Sequence, residues 1–317
     1  MQKDNFKWKR KDLLGTYDLT KDELIFILET AKSMEEVLNR DVKKVPTLRG
    51  KSCVTLFYEP STRTRTSFEL AGKIMSADTI NITASASSAV KGETILDSVK
   101  NIEAMSVDCV IIRHSNSGVP HFIAKNTKLS VINAGDGSHE HPSQALLDLL
   151  TIKDYKGKIE GLNIAIVGDI LHSRVARSNL FAMKKLNNNV NLVGPKTFVP
   201  KDFERFGANV YHNLEEGLNG VDVVMVLRLQ KERMGKCFYP TEREYAKFFS
   251  INKESLKYAK EDVIVMHPGP VNRGLEISSD VLDGDKSVVL AQVTRGVAVR
   301  MAILYILLSG GKFEDSN

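Results

Sequence analysis

Apolar and polar residues follow one of two patterns along most of the chain. One pattern is typical of buried strands and the other of helices. Short runs rich in β-branched residues are typical of strands that a parallel sheet buries on both faces. Such runs lie at 53–58, 79–83, 107–113, 131–137, 163–167, 191–195, 221–227 and 263–266. Helical spacing follows several of them, so the sequence predicts an α/β protein.

Helix signals are clearest at both ends of the chain and after the first strand. Apolar residues recur at helical spacing from Lys21 to Leu38, with Thr20 as the cap. Ser61 or Thr62 can cap the helix that follows strand 53–58. A strongly apolar helix is predicted from about 287 to 308. We expect this last helix to cross back and pack on the first half of the chain.

A polar hinge at 154–161 separates two predicted halves of the chain. Each half is expected to be a Rossmann-like domain with a parallel sheet flanked by helices. The predicted limits are 1–152 together with 287–317 for the first domain, and 153–286 for the second. Two domains also fit the length of 317 residues.

The turn between strand 53–58 and its helix concentrates hydroxyl and guanidinium groups where backbone N–H groups and the positive end of the helix dipole meet. The alternative is a solvated surface with an ordinary cap. Crowding Arg63 and Arg65 at a positive helix end is unfavourable without an anion, so we predict a phosphate site. The turn lacks a Walker-type glycine-rich loop with its lysine, which argues against an ordinary nucleotide site.

Polar residues also follow other predicted strands, at the edge where open α/β sheets bind ligands. Arg113 ends one strand, and His141 and Gln144 lie one turn apart at a helix start. A structural histidine is the alternative, but this pair could hold a carbonyl and its amide. Arg228 and Gln230 alternate after strand 221–227, which gives a charged fork and an amide suited to a carboxylate.

Two turns in the second half have distinct chemistry. Strand 163–167 leads through a Gly-Asp turn to a helix with Ser173 as a cap. Ile170 and His172 stand where a dinucleotide fingerprint needs glycine, so dinucleotide binding is rejected. The turn Pro268-Gly269-Pro270 is irregular, and its carbonyls can accept from an NH₂ group.

The composition narrows the classes of function and partner that the chain can have. With 42% hydrophobic and 26% charged residues the chain has a globular balance. The net charge of +5 is dispersed, which makes nucleic acid a poor candidate. Cys53, Cys109 and Cys237 have no zinc or disulfide spacing and are expected to be free thiols in a reducing cytoplasm. We expect no leader in the polar segment 1–11, and no membrane partner.

Four motifs in this order closely resemble the aspartate/ornithine carbamoyltransferase family, over nearly the whole chain. They are Ser61-Thr62-Arg63-Thr64-Arg65, Lys91-Gly92-Glu93-Thr94, His141-Pro142-Ser143-Gln144, and Arg228-Leu229-Gln230 with His267-Pro268-Gly269-Pro270. The resemblance implies an enzyme that moves the carbamoyl group of carbamoyl phosphate to an amine. It implies no cofactor, no metal and no covalent enzyme intermediate.

The resemblance also implies a role for each matching residue. The implied carbamoyl phosphate site comprises Ser61, Thr62, Arg63, Thr64, Arg113, His141, Gln144, Pro268, Gly269, Pro270 and, from a neighbouring chain, Ser87. The implied catalytic residues are His141, Arg113, Thr64 and Lys91. The implied aspartate site comprises Arg174, Arg228, Gln230 and a neighbour's Lys91, and the implied domain-closure residues are Glu59, Arg174 and Arg233. Shared sites imply a homotrimer, and a regulatory chain or a larger assembly of trimers stays open.

Within the family, the sequence favours L-aspartate as the second substrate. The resemblance places a cysteine in the second-substrate turn of ornithine enzymes, where this chain has Pro268 and Gly269. Arg174, Arg228 and Gln230 favour two carboxylates. The expected product is N-carbamoyl-L-aspartate, formed in the committed step of pyrimidine (UMP) synthesis. The alternatives are transfer to ornithine or another amino acid, and a non-catalytic phosphoanion-binding protein on the same fold.

Overall fold

The computed structural model describes residues 6–83, 93–230 and 241–309. These residues separate into two compact units. The first unit contains the described residues up to 146 together with those from 295 onward, and the second contains those in the range 147–294. The predicted domain limits at 152/153 and 286/287 stay predictions about which residues serve each of the two substrates.

The first unit is a parallel sheet with helices on its connections. In chain order its elements are α1 (Lys21–Leu38), β1 (Ser52–Phe57), α2 (Thr62–Ile74), β2 (Asp78–Thr83), α3 (Ile95–Ala104), β3 (Cys109–His114), α4 (Val119–Asn126), β4 (Ser130–Asp136) and the start of α5 (Pro142–Lys156). The strands are arranged in the order β2-β1-β3-β4, and every pairing is parallel. The order reverses between β1 and β3, which is the point where such sheets bind ligands.

The second unit repeats this plan with a larger sheet. After the end of α5 come β5 (Asn163–Val167), α6 (Arg174–Lys185), β6 (Asn189–Val193), β7 (Asn209–Tyr211), α7 (Leu214–Leu218), β8 (Val223–Val226), α8 (Glu242–Phe249), β9 (Ile264–Met266), α9 (Ser279–Leu282) and the start of α10 (Val289–Leu308). Its parallel strands lie in the order β7-β6-β5-β8-β9. The reversal here falls between β5 and β8.

Both faces of each sheet are buried, which explains why the strands are continuous apolar runs in the sequence. In β1 every residue from Cys53 to Phe57 is buried, and all of β4 and β8 is buried as well. Val54, Leu56 and Val110 belong to the core of the first unit. Ala165 and Val224 belong to that of the second. The predicted fold class, two α/β halves with parallel sheets, is therefore confirmed.

The apolar helix α10 returns to the first unit, as predicted. Arg300 donates to the Ser67 hydroxyl at 3.0 Å and lies over the Phe68 ring. Arg295 approaches Glu35 of α1 at 3.6 Å. Among the described helices α10 alone is long and apolar enough to cross a membrane, but 61% of its most apolar window is buried inside the protein. Its contacts with α1 and α2 are those of a core helix.

Some predictions differ from the structure in detail or lie outside it. Thr20 caps α1 through a reciprocal capping box with Glu23, as predicted. The strand predicted at 191–195 is instead β6 at Asn189–Val193, because its polar asparagines mask the pattern. Ser87 and Lys91, which the resemblance places in a neighbour's site, lie outside the described residues. So does Arg233, an implied domain-closure residue.

Candidate active site

The turn between β1 and α2 carries the predicted phosphate-binding residues. Ser61 occupies the N-cap position, as predicted, but its side chain makes no capping hydrogen bond. The first turn contains no acidic residue. Thr62 and Arg63 are exposed, whereas Thr64 is buried at 7% exposure. A helix start with hydroxyls, a guanidinium and no acid is suited to binding an anion.

Arg113 lies beside this turn on the neighbouring strand. It is the register partner of Phe57, the last residue of β1. The β3–β4 register shifts between Ile112 and His114, and such an irregularity re-aims the side chain that it contains. The Arg113 guanidinium donates to the Ala134 carbonyl at 3.2 Å. This bond holds the Arg113 side chain at the carboxyl edge of the sheet.

Glu59 is the ion-pair partner of Arg113 in this structure. Its carboxylate lies 3.1 Å from the Arg113 guanidinium, and both side chains are mostly buried. The resemblance instead gave Glu59 the partners Arg174 and Arg233, and that pairing stays a prediction. Within the first unit, Glu59 holds a cationic group beside the turn between β1 and α2. An anion that bound Arg113 would compete with this carboxylate.

His141 and Gln144 lie together at the start of α5, as the spacing predicted. The His141 carbonyl accepts from the Gln144 N–H at 3.0 Å and from the Ala145 N–H at 3.3 Å. The His141 side chain is buried at 4% exposure, and Gln144 is half-buried. His141 therefore directly precedes the helix. The carboxyl ends of β1, β3 and β4 thus each supply a predicted site residue.

Two buried acids, Asp136 and Glu140, hold the loop that presents His141, and the sequence pattern predicts a role for neither. The Glu140 carboxylate accepts from the Thr16 N–H at 2.6 Å, the Thr16 hydroxyl at 2.9 Å and the Tyr17 N–H at 3.2 Å. Asp136 accepts from the Glu140 N–H at 3.1 Å. The acids themselves were visible in the sequence, but their partners near residue 16 are distant in the chain.

Asp136 keeps its charge despite full burial. Burial alone would raise the pKa of this carboxyl. Hydrogen bonds from His139, the Gly118 N–H and Asn133 outweigh that effect and hold the pKa below its ordinary value. A carboxylate with this many donors is a rigid anchor for the end of β4. The loop around His141 is therefore fixed from both sides.

In the second unit, the turn after β5 leads to Arg174. Ser173 caps α6, with the Ala176 N–H donating to its hydroxyl at 3.1 Å, as predicted. Arg174 is the first helical residue and is buried at 4% exposure. The preceding Asp169 is fully buried and contacts the His172 ring at 2.9 Å. Burial raises the pKa of Asp169 above its ordinary value. This helix start is occupied by the protein's own groups.

Arg228 and Gln230 follow β8, which is the neighbour of β5 in the sheet. Both side chains are half-buried, and Leu229 between them is fully buried. The Arg228 guanidinium lies 3.5 Å from the Gln230 amide oxygen. The two therefore share a side, as the alternation predicted. Gly168 lets the two strand ends approach, because a Cβ there would lie 3.0 Å from the Leu227 carbonyl oxygen.

The turn after β9 is held through His267. The Gly269 N–H donates to the His267 Nδ1 at 2.8 Å, and the Glu276 carboxylate lies 3.3 Å from its Nε2. Glu276 also accepts from the Asn272 N–H at 2.6 Å. The His267 N–H donates to the side-chain oxygen of Gln292 at 2.9 Å. Pro268 and Gly269 are half-buried and Pro270 is exposed, so a shaped backbone turn follows β9.

Comparison with known proteins agrees with this geometry. Residues 11–154 match the family model of the aspartate/ornithine carbamoyltransferase carbamoyl-P binding domain. Residues 160–307 match that of the Asp/Orn binding domain. The aspartate carbamoyltransferase catalytic subunit of Heliobacterium modesticaldum is 57% identical over 303 residues, covering 96% of this chain and 97% of that protein.

Solved structures with the same fold come from enzymes of two specificities. The aspartate transcarbamoylase of Trypanosoma cruzi in complex with N-(phosphonacetyl)-L-aspartic acid matches with a TM-score of 0.85 and 30% identity, covering 95% of this chain and 96% of that chain. The ornithine carbamoyltransferase of Pyrococcus furiosus also gives 0.85 and 30%, covering 97% and 99%. Backbone similarity alone does not separate the two amine substrates.

Proposed function

The chain belongs to the aspartate/ornithine carbamoyltransferase family, and we propose that it transfers the carbamoyl group of carbamoyl phosphate to the α-amine of L-aspartate. The products are N-carbamoyl-L-aspartate and phosphate, in the committed step of pyrimidine synthesis. The observation that carries the proposal is the start of α2, where hydroxyls and Arg63 surround a helix end with no acid and no side-chain cap. That arrangement is suited to the phosphate of the first substrate.

Charge development assigns the roles of the residues in the first unit. The phosphate is held by Ser61, Thr62, Arg63, Thr64 and Arg113. Thr64, Arg113 and His141 donate to the carbonyl oxygen of the carbamoyl group. Attack by the amine places negative charge on that oxygen, and donors fixed in advance stabilise it as phosphate leaves. The bonds that hold Arg113 and the His141 loop in place support this preorganisation.

Residues of the second unit are assigned to the amine substrate and to the carbamoyl NH₂ group. Arg174, Arg228 and Gln230 bind the two carboxylates of aspartate. Carbonyls of the Pro268-Gly269-Pro270 turn, with Gln144, orient the carbamoyl NH₂. We also propose that Glu59 pairs with Arg174 and Arg233 when both substrates are bound.

Aspartate is preferred to ornithine for two reasons. The 57% identical relative from Heliobacterium modesticaldum is named for aspartate, whereas the ornithine enzyme of Pyrococcus furiosus is 30% identical. The half-buried pair Arg228 and Gln230 offers donors to an anion, whereas the side chain of ornithine is a cation.

A carbamoyl-transfer assay with the two amines side by side tests the assignment. We expect turnover with L-aspartate and carbamoyl phosphate, and at most traces with L-ornithine. Faster transfer to ornithine would reverse the choice of substrate. No transfer to either amine by a folded chain that binds carbamoyl phosphate would support the phosphoanion-binding alternative instead.

We further propose a homotrimer in the cytoplasm, in which Ser87 and Lys91 act in the site of a neighbouring chain. The motif Lys91-Gly92-Glu93-Thr94 supports this arrangement. The free, buried thiols of Cys53 and Cys109 are compatible with a reducing compartment.

Mixed trimers test the shared site. Arg63→Ala damages a chain's own site, and Lys91→Ala damages the neighbour's. In a mixed trimer some interfaces collect both defects and others collect none, so native sites reappear. We expect two inactive mutants to regain partial activity when they are dissociated, mixed and reassembled. Hybrids that are confirmed to contain both chains and stay inactive would contradict the model.

A further inference from the structure

Two histidines and an aspartate of the first unit lie together outside the proposed reaction. His121 belongs to α4, Asp136 ends β4, and His139 follows in the next loop. One ligand-type atom from each residue lies within 4.8 Å of the others. The two imidazole rings have centroids 5.3 Å apart. Within the ranges that the structure describes, this is the one such group of three.

Asp136 is placed as the support of a metal-ligating histidine. Its carboxylate is fully buried and lies 3.0 Å from the Nδ1 of His139. A carboxylate on one ring nitrogen fixes the orientation of an imidazole and makes its other nitrogen a better ligand. The Gly118 N–H, the Asn133 amide and the Glu140 N–H hold Asp136 itself. The support is therefore rigid.

A ring nitrogen of His121 is independent evidence for a ligand at this place. This atom, Nδ1, is buried and has no hydrogen-bond partner in the structure. A buried polar atom without a partner is unfavourable, so such atoms need an explanation. The nearby Gly118 is the N-cap of α4, and its N–H donates to Asp136 at 2.7 Å. The same carboxylate thus holds the start of α4 and the ring of His139.

We propose that His121 and His139 bind a divalent transition metal of the Zn²⁺ class, with Asp136 as the support of the His139 ring. Imidazoles are borderline nitrogen donors, which favour Zn²⁺, Co²⁺ or Ni²⁺ over Mg²⁺ or Ca²⁺. Water completes the coordination. Ligand atoms around zinc lie roughly 3.3 Å apart, so the two partly exposed rings turn toward the ion when it binds.

This site is structural in the proposal, and no step of carbamoyl transfer uses it. The metal joins α4 to the loop that follows β4. An ion that binds the folded chain and not the unfolded chain stabilises the fold. Close cysteine and histidine spacing in the sequence does not reveal this site. His121 and Asp136 come from different elements, and only the fold brings them together.

Cobalt titration of the untagged, chelator-treated full chain is the direct test, because Co²⁺ replaces Zn²⁺ and gives visible absorption bands. We expect one Co²⁺ per chain, displaced by Zn²⁺. His121→Asn and His139→Asn should each lose saturable binding, and Asp136→Asn should weaken it by about ten- to a hundredfold. His212→Asn is the matched control, because that ring bonds the Gly194 carbonyl in the second unit, and binding should be unchanged.

Thermal unfolding supplies a second measurement. Zn²⁺ should raise the midpoint of the unaltered chain and of His212→Asn, but not that of His121→Asn or His139→Asn. Midpoints measured without metal show whether each variant is folded. The proposal is overturned if the unaltered chain takes up no saturable Co²⁺, or if both histidine variants bind it as tightly as the unaltered chain. Charge-transfer bands of a thiolate ligand would also overturn it.

Discussion

The start of α2 and the start of α6 are the same strand-turn-helix element put to different uses. Each follows a central strand of its sheet, β1 in the first unit and β5 in the second, and each has a serine at the N-cap. Ser173 accepts a capping bond from its own helix, whereas Ser61 does not. A buried acid, Asp169, precedes α6 by a few residues. Neither first turn contains an acid, but Arg63 of α2 is exposed, whereas Arg174 of α6 is buried.

This difference indicates which of the two helix starts is better suited to bind a phosphate. The positive end of the dipole is present in both helices and does not by itself distinguish them. In α6 the cap and the buried Asp169–His172 pair satisfy local groups from within the protein. In α2 the Ser61 hydroxyl makes no capping bond. The first unit is accordingly assigned the phosphate, and the second offers guanidiniums after its strands to carboxylates.

Removal of Arg63 should produce the largest effect on carbamoyl phosphate binding. If it had no effect, the two helix starts would not differ in function as assigned. We expect Arg63→Ala to weaken carbamoyl phosphate binding by roughly a hundredfold or more, because a charged partner of the phosphate is lost. The fold should be retained, since the side chain is exposed. Calorimetric titration measures the affinity. Arg205→Ala is the control, as that side chain is 83% exposed in the second unit. Unchanged affinity in folded Arg63→Ala would refute the assignment.

Loss of Arg228 tests the other side of the comparison. We expect Arg228→Ala to raise the KM for aspartate about tenfold or more, while the KM for carbamoyl phosphate changes little. The reason is that the guanidinium is assigned to a carboxylate of aspartate and not to the phosphate. Steady-state kinetics with each substrate varied in turn separates the two. Equal changes in both constants would show that Arg228 has another role.

The sequence predicted what is local and missed what the fold assembles. Apolar runs located the described strands except β7, which is only Asn209–Tyr211 and too short to show a period. Contiguous motifs located Ser61 to Arg65, His141 and Arg228. The buried acids Glu140 and Glu276 were not assigned, because their importance depends on backbone N–H groups that only folding brings near. Whether Ser61 is a bonded cap is likewise decided by backbone geometry.

The buried acids provide a matched pair that sharpens the comparison of the two units. Glu140 supports the loop before His141, and Glu276 supports the His267 turn. Glutamine at position 140 leaves a backbone N–H facing an NH₂ group, because both carboxylate oxygens of Glu140 accept from backbone N–H groups. At position 276 the change removes the charge of the oxygen that accepts from the Asn272 N–H. We expect each change to cost about 1–3 kcal/mol of unfolding free energy. Thermal unfolding measures this loss, with Glu254→Gln as a control because that side chain is 78% exposed.

Kinetics then separates positioning from stability. Glu140→Gln should also lower turnover severalfold below its unfolding temperature, because His141 is the next residue and loses its fixed position. Its KM for carbamoyl phosphate should change less, since the α2 start is intact. If Glu140→Gln is destabilised but turns over at the normal rate, the hydrogen bonds of Glu140 contribute only to stability.

The two N-cap serines give the smallest expected effects and the most direct comparison of the helix starts. Ser173→Ala removes a bonded cap and should cost about 0.5–2 kcal/mol of stability. Carbamoyl phosphate affinity should be unchanged, because that site is assigned to the first unit. Ser61→Ala should leave stability within about 0.5 kcal/mol, since no capping bond is lost. Its affinity for carbamoyl phosphate should fall roughly tenfold, because a donor to a charged ligand is removed. Thermal unfolding and calorimetric titration of both variants thus give opposite patterns. If Ser61→Ala loses stability and keeps its affinity, the two helix starts are alike, and the phosphate must be held by other groups.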